Sequence, residues 1–417
     1  MSHSAFYSSA AVLTLASLLV AVAAKAAQTE AARPAPAPDV KAMADSNNRF
    51  AFDLYGKLKK GEENLFYSPY SISTALAMTY AGARGTTAEE MAKALRLDLP
   101  ADRLHPACAE MIRDLNEAGK KGDFQLSVAN RLWGQKGEPF LKDFLDLTQR
   151  NYGAGLSELD FAGNVEAARK TINEWVEKQT AEKIKELIKQ GVLKPATRLV
   201  LTNAIYMKAE WLAKFKKQDT APAPFFTADG KEIQAPTMHR TSVFGYAEAD
   251  DLQTLELVYK GDRLSMVILL PRQKGGLADL EKGLTLESLN KRLAQLKTQK
   301  VSVALPKFRA TKEFSLGQVL ESLGMAKAFD GSQADFSGMN GKRDLFISAV
   351  VHKAFVNVDE EGTEAAAATA VVMEATAMLG PERIPEFVAD HPFVFLIRDR
   401  VTGAILFLGR VTEPKVE

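Results

Sequence analysis

The order of apolar and polar positions changes character along the chain. Up to about residue 190 the apolar residues recur at helical spacing, and from residue 198 they alternate or run together as in strands. Helical periodicity covers residues 41–59, 69–81 and 87–95. A further helical region is read over residues 164–190, NVEAARKTINEWVEKQTAEKIKELIKQ, with Ile172, Val176, Ile184 and Leu187 as its apolar stripe. Strand patterns begin with RLVLTNAIYM at 198–207. The stretch LQTLELVYKGDRLSMVILLP reads as a hairpin around Lys260, Gly261 and Asp262. Residues 344–358 predict another strand, in which His352, Ala354, Val356 and Val358 share one face. Phe393–Ile397 and Ala404–Leu408 are unbroken apolar runs, as expected of strands covered on both faces. Helices first and strands afterwards make an α+β chain.

The N-terminal segment reads as an export signal rather than as part of the fold. Residues 10–24, AAVLTLASLLVAVAA, are apolar but shorter than the roughly 20 residues a membrane span needs. Small residues at Ala24 and Ala26 place cleavage after Ala26, so residues 1–26 form the signal peptide. The departure is the segment before the apolar run, which has no Lys or Arg, and an uncleaved anchor is the alternative. Residues 27–40, with alternating Pro and Ala, read as an extended tether. No second linker follows, so residues 41–417 are read as one large domain, exported to the periplasm or the extracellular space and off the membrane once the signal is removed.

Composition narrows the chemistry. The chain has 417 residues, with 53 Lys plus Arg against 52 Asp plus Glu, and this balance argues against a nucleic-acid partner. Cys108 is the single cysteine, so neither an intrachain disulfide nor a cysteine zinc cage can form, and a half-buried inert thiol is expected. The five histidines show no HExxH spacing, and no metal site is predicted. No GxSxG elbow, GxxxxGK[ST] loop or GxGxxG occurs, which removes the usual signals of a hydrolase or a nucleotide-binding protein. In YSPYSIS, Ser68 reads as a helix N-cap followed by Pro69 at the first helical position.

One stretch fits neither pattern. Residues 359–380, DEEGTEAAAATAVVMEATAMLG, are small and low in bulk and come directly after a strongly patterned strand. An Ala-rich surface helix is one reading. The other follows from Gly362 and the alternation after it. Thr363, Ala365, Ala367 and Thr369 would share one strand face, and all four are small enough to enter an occupied sheet interior.

With these residues in view the chain resembles the serpin family over nearly all of residues 41–414. NLFYSPYSISTALAM at 64–78, LTNAIYMKAEW at 201–211, LPKF at 305–308, LGM at 323–325, ADFSGM at 334–339 and FVADHPFVFLI at 387–397, followed by TGAILFLGRVTEP, are similar to family motifs in the family's order. EEGTEAAAATA at 360–370 is similar to the hinge of inhibitory members.

The resemblance implies three β-sheets, about nine helices and an exposed reactive-centre loop. It implies a serine protease inhibitor, not an enzyme, that acts as a suicide substrate: a protease attacks the loop, an acyl-enzyme forms, and the cleaved loop inserts into the main sheet. The partner so implied is a target serine protease, with cysteine proteases as a further class, and the inhibitor works as a monomer. The hinge would comprise Glu360, Gly362, Thr363, Ala365, Ala367 and Thr369. Counting from Glu360 places the reactive bond at Thr376–Ala377, with Ala375 and Met378 as neighbouring candidates. These uncharged residues suit elastase-like or subtilisin-like targets rather than a protease whose specificity pocket carries an Asp. Ser68, Ser71, Asn203 and His352 match the polar cluster where the sheet must open. Lys307, Glu360 and Trp211 match the group at its upper end, where a solvent-exposed ion pair is expected. Some relatives use a glycosaminoglycan cofactor; Lys120 and Lys121 form no dense basic stripe, so no cofactor is expected. The alternative is a non-inhibitory member acting as a carrier or chaperone.

Overall fold

Pro38 occupies the first turn of a helix, where its missing N–H leaves no bond unmade, and opens α1 (Pro38–Leu58). The helix starts three residues earlier than its periodicity predicts, so Pro38–Val40 belong to it and not to the tether. The structure, a computed structural model, describes residues 35–363, apart from 154 and 250, and residues 383–416. The signal run, most of the tether and the loop residues Ala365, Ala367, Thr369, Thr376 and Ala377 lie outside the described residues.

β1 (Leu65–Tyr67) leads into α2 (Pro69–Tyr80), which is capped as expected: Ser68 Oγ accepts the Ser71 N–H at 3.1 Å. Next come α3 (Gly85–Ala94), α4 (Ala101–Lys120), β2 (Phe124–Gln135), α5 (Lys142–Tyr152) and β3 (Ser157–Leu159). The lone thiol sits on α4. Cys108 is fully buried rather than half-buried, and burial pushes its pKa up to about 12, so it is inert at neutral pH.

The helix expected over residues 164–190 is shorter. α6 spans Val165–Gln179 and stops where the Thr180 hydroxyl turns back to the Val176 carbonyl at 2.8 Å. Ala181 and Glu182 then take positive φ of 49° and 60°, which no α-helix continues. Ile184 and Leu187 are buried as expected, but on an irregular segment. Asn173 pins that segment by accepting the Ile188 N–H at 2.8 Å and donating to the Ile188 carbonyl at 2.9 Å.

The strand-rich part contains β4 (Leu199–Glu210), β5 (Thr220–Phe226), β6 (Glu232–Glu248), β7 (Leu252–Val258) and β8 (Leu264–Pro271). The short helices α7 (Leu277–Lys282) and α8 (Leu286–Ala294) follow, then β9 (Lys297–Pro306), β10 (Phe308–Ser315), α9 (Gly317–Ser322) and α10 (Ser337–Asn340). The chain closes with β11 (Ile347–Val358), β12 (Gly362–Thr363), β13 (Glu386–Val388), β14 (Phe393–Asp399) and β15 (Ile405–Val411). Among the described residues this makes ten α-helices, none long and apolar enough to cross a membrane.

The strands form two hydrogen-bonded layers. One has six strands in the order β10-β11-β12-β4-β2-β3, and the other has nine, with β14, β8 and β7 near its centre. Three sheets were expected; among the described residues the strands hydrogen-bond into two. The 17-residue β6 runs through the larger one, pairing with β5 over its first part, with β9 from Thr237 to Tyr246 and with β7 at its end. The six-stranded sheet is covered on both faces. Val200, Ala204, Tyr206, Val351 and Phe355 pack with α6 residues such as Ile172 and Val176. Leu201, Ile205, Ala354 and Val356 face the main core that holds α2. This two-sided cover explains why β4 is buried along most of its length, and it places Thr202, Asn203 and His352 inside the protein.

Candidate functional site

β4 and β11 are the central strands of the six-stranded sheet, and they do not pair in one way throughout. From Ile347 opposite Leu199 to Phe355 opposite Tyr206 they are direct parallel neighbours. Beyond Phe355 they part. The chain turns at Asp359–Glu361 and re-enters the gap as β12, which pairs antiparallel with both sides: Thr363 with Val358 of β11, and Gly362 and Thr363 with Glu210 and Ala209 of β4. A further strand between β4 and β11 is therefore begun, with Gly362 and Thr363 as its described residues.

Each residue of this start has a physical reason. Gly362 has φ +152°, and a Cβ there would lie 2.0 Å from the Ala209 carbonyl oxygen, so no other residue type fits. Thr363 is 1% exposed, and its hydroxyl meets the Tyr259 hydroxyl at 2.7 Å. Trp211 stacks on Tyr259 with ring centroids 4.4 Å apart. It also fixes the turn, since its indole N–H donates to the Asp359 carbonyl at 2.9 Å and its backbone N–H to the Glu361 carbonyl at 2.8 Å.

Glu360 lies between those two anchors. The expected exposed ion pair is instead inside: the Glu360 side chain is 5% exposed and that of Lys307 29%. Lys307 Nζ donates to both carboxylate oxygens at 2.9 and 3.2 Å, and the Thr220 hydroxyl donates to one of them at 2.8 Å. Burial pushes the carboxyl up, but these bonds outweigh it, and Glu360 titrates below its ordinary value. The group is buried because the loop segment Trp211–Thr220 folds over it, with the Phe215 N–H donating to the Glu360 carbonyl at 2.9 Å.

Further down the seam, Ser68, Ser71, Asn203 and His352 come together. His352 on β11 and Asn203 on β4 are direct partners across the seam. His352 Nε2 accepts the Ser68 backbone N–H at 3.1 Å, and its Nδ1 lies on Asn203 Oδ1. A backbone N–H can only donate, so Nε2 carries no proton and Nδ1–H donates to Asn203. The ring is therefore neutral, and burial pushes its pKa down to about 3. Asn203 Nδ2 continues the chain to Ser71 Oγ and to Asn130 Oδ1, each at 2.6 Å. Ser71 Oγ donates to Asn130 Oδ1 at 2.8 Å, and Asn130 Nδ2 donates to the Ser71 carbonyl at 3.0 Å.

Asn130 was not singled out in the sequence. It sits on β2 opposite Asn203, so Asn130, Asn203 and His352 form a polar row across three strands. Phe314 on β10 extends the row by stacking on His352, ring centroids 6.3 Å apart. The available signal was a lone amide in the strand-like stretch around Val128 and Leu132, which a search for chemistry passes over. Thr220 and Tyr259 were missed for the same reason: their partners come from distant parts of the chain. The arrangement is a sheet zipped below by a neutral hydrogen-bonded row and wedged open above by two residues. Separating β4 from β11 would break one hydrogen-bonded link of side chains and the direct strand pairing, and would admit a strand between them.

Known proteins were compared with this geometry in view. A family model described as "Serpin (serine protease inhibitor)" matches residues 45–414. A leukocyte elastase inhibitor of Sus scrofa is 46% identical over 382 residues, covering 89% of this chain and 99% of its own. An uncharacterised serpin-like protein of Thermococcus kodakarensis is 44% identical over 375 residues, covering 90% of this chain and 86% of its own. Among solved structures, uncleaved ovalbumin matches with a TM-score of 0.80 at 30% identity, covering 89% of this chain and all of its own. Serpin48 of the insect Tenebrio molitor matches with a TM-score of 0.79 at 34% identity, covering 89% of this chain and 98% of its own. A match across both chains at this identity, on a sheet of this topology, shows that the protein belongs to the serpin family and is a serine protease inhibitor.

Proposed function

We propose that the protein is an exported, monomeric, single-use trap for elastase-like or subtilisin-like serine proteases, with Thr376–Ala377 as its reactive bond. The observation that carries this reading is the strand begun between β4 and β11: Thr363 pairs with both and Gly362 with β4, and the same strands are shut below them. The sequence after Thr363 supports continuation, because by alternation Ala365, Ala367 and Thr369 would share the inward face of such a strand and none is bulky or charged. About 15 inserted residues at roughly 3.3 Å each span on the order of 50 Å, enough to carry an attached protease from one end of the sheet toward the other. Relatives named for leukocyte elastase inhibition, at 44–46% identity, support the target class over a carrier role. The chain does not turn over substrate in this reading; one molecule is consumed for each protease it captures. The apolar run of residues 10–24 supports export.

The test is incubation with an elastase-like protease followed by denaturing electrophoresis and mass spectrometry. The expected product is a covalent adduct of the protease with a chain ending at Thr376. Cleavage with complete release of active protease would defeat the reading. In Thr363→Arg, a charge is forced into a site that is 1% exposed, at a cost of several kcal/mol. Insertion then slows, hydrolysis of the acyl-enzyme overtakes it, and the inhibitor becomes a substrate; an unchanged stoichiometry of inhibition in that variant would count against the assigned hinge.

A further inference from the structure

A cavity of about 440 Å³ lies among α2, α4, the end of α5, β2 and α6, apart from the seam itself. Its volume is in the range of small-molecule sites, roughly 300–1,000 Å³. Tyr70 and Thr74 of α2 are buried in its floor, whereas Asn116 of α4 and Gln179 of α6 are exposed, so it opens to solvent between those helices.

One residue in the wall is out of keeping with its surroundings. The Arg131 guanidinium carbon lies 4.3 Å from the ring centroid of Trp175 and 5.3 Å from that of Trp133, so cation–π contact holds it in place. Its Nε is buried and meets no acceptor among the described residues. Among the described residues no Asp or Glu lines the cavity, and Arg131 is the one charged residue that does. Buried cations are ordinarily paired. A permanently charged, oriented fork of donors facing an open cavity without an acid is complementary to an anion.

We propose that this cavity binds a small organic monocarboxylate, its carboxylate taken by Arg131 and its apolar body lying against Met78, Ile112 and Leu126, and that occupancy holds the seam of the sheet closed. The coupling runs through Asn130, which lines the cavity and also bonds to Ser71 of α2 and Asn203 of β4. An inserted strand needs about 4.8 Å of lateral room, so β2 and β4 must move relative to α2 or to β11. A ligand that joins Arg131 of β2 to the α2 wall opposes that movement. The coupling rests on the trap reading; the binding site does not.

The experiment uses the full chain with 1-naphthoate as probe and uncharged 1-naphthamide as control, read by titration calorimetry. The expected result is saturable naphthoate binding that Arg131→Met weakens at least tenfold while leaving any naphthamide binding unchanged. Ile112→Trp fills the cavity without touching the charge and is expected to abolish binding, which keeps the test decisive should Arg131→Met not fold. Absence of naphthoate binding up to millimolar concentration, or equal affinity in the wild type and a folded Arg131→Met, overturns the site. Saturating naphthoate is expected to raise the stoichiometry of inhibition about twofold or more in the wild type and not in Arg131→Met. An unchanged stoichiometry overturns the coupling. A chain that binds naphthoate yet forms no protease adduct even without it overturns the trap reading and leaves the site standing.

Discussion

His352 is neutral because one ring nitrogen faces a backbone N–H, a group that can only donate. Protonation would set two donors against each other inside a buried seam. The native pKa of about 3 lies below the roughly 6.5 of an exposed histidine, so the unfolded chain binds this proton first as pH falls. Stability from this residue is therefore complete above about pH 6.5 and is lost progressively between there and about pH 3. From pH 7 to pH 5 the loss should be about 2 kcal/mol. It is checked by comparing the pH dependence of urea unfolding in the wild type and in His352→Gln, where the slope over this interval should flatten. Glu360 gives a second residue-scale prediction. Lys307→Met leaves a buried carboxylate with the Thr220 hydroxyl as its remaining side-chain donor, and should destabilise the native state by about 1–3 kcal/mol. The double variant with Glu360→Gln should recover part of that loss, measured as the coupling in a double-mutant cycle of denaturation midpoints.

At the scale of elements, β12 is the shortest strand among the described residues and the one that enters between β4 and β11. Its entry depends on Gly362, because backbone comes within contact distance where any Cβ would stand. Gly362→Ala should expel the two residues from the sheet rather than distort β4, since β12 has two residues to lose and β4 has twelve. The expected outcome is faster hydrogen exchange at the amides of Ala209 and Trp211, which face β12, with little change along the lower part of β4. Normal protection at those two amides in the variant would show that the sheet absorbs the added methyl. The same alternation that buries Thr363 makes each second residue beyond it a test of size, so bulk at residue 365 or 367 should act in the same direction as Thr363→Arg.

For the whole molecule the question is how a stable-looking fold stores energy. A strand completed between β4 and β11 gains ladder bonds on both sides, at about 0.5–1.5 kcal/mol net each, on the order of 10 kcal/mol or more in total. That is comparable to the full stability of an ordinary domain, so on the proposed trap reading the intact form would be held by a barrier rather than by being lowest in free energy. Cutting the loop anywhere between residues 370 and 380 should therefore raise the melting temperature by tens of degrees. Calorimetry of the nicked and intact chains checks this, and equal melting temperatures would remove the basis for trapping.

Much of this was written in local order. Alternation along 347–358, the closing apolar runs, the Ser68 cap and the smallness of residues 363–369 depend on neighbours in the chain, and side-chain periodicity reports such things directly. Helix α4 was not read because Pro106 lies within it and interrupts the pattern, although Leu104, Cys108, Met111 and Leu115 are buried on one face. The end of α6 was misplaced because Ile184 and Leu187 keep helical spacing while the backbone beneath them is turned by left-handed residues and held by Asn173. The site followed the same division. Residue types could nominate His352, Asn203, Glu360 and Lys307, but whether an amide on the neighbouring strand completes a row, or a carboxylate is wet or dry, depends on groups brought together from 53 to 284 positions apart. Asn130 joined the cluster, Glu360 went inside and Arg131 was left facing a cavity without an acid, because burial and pairing are properties of packed surfaces, and the packing exists only once the chain has closed on itself.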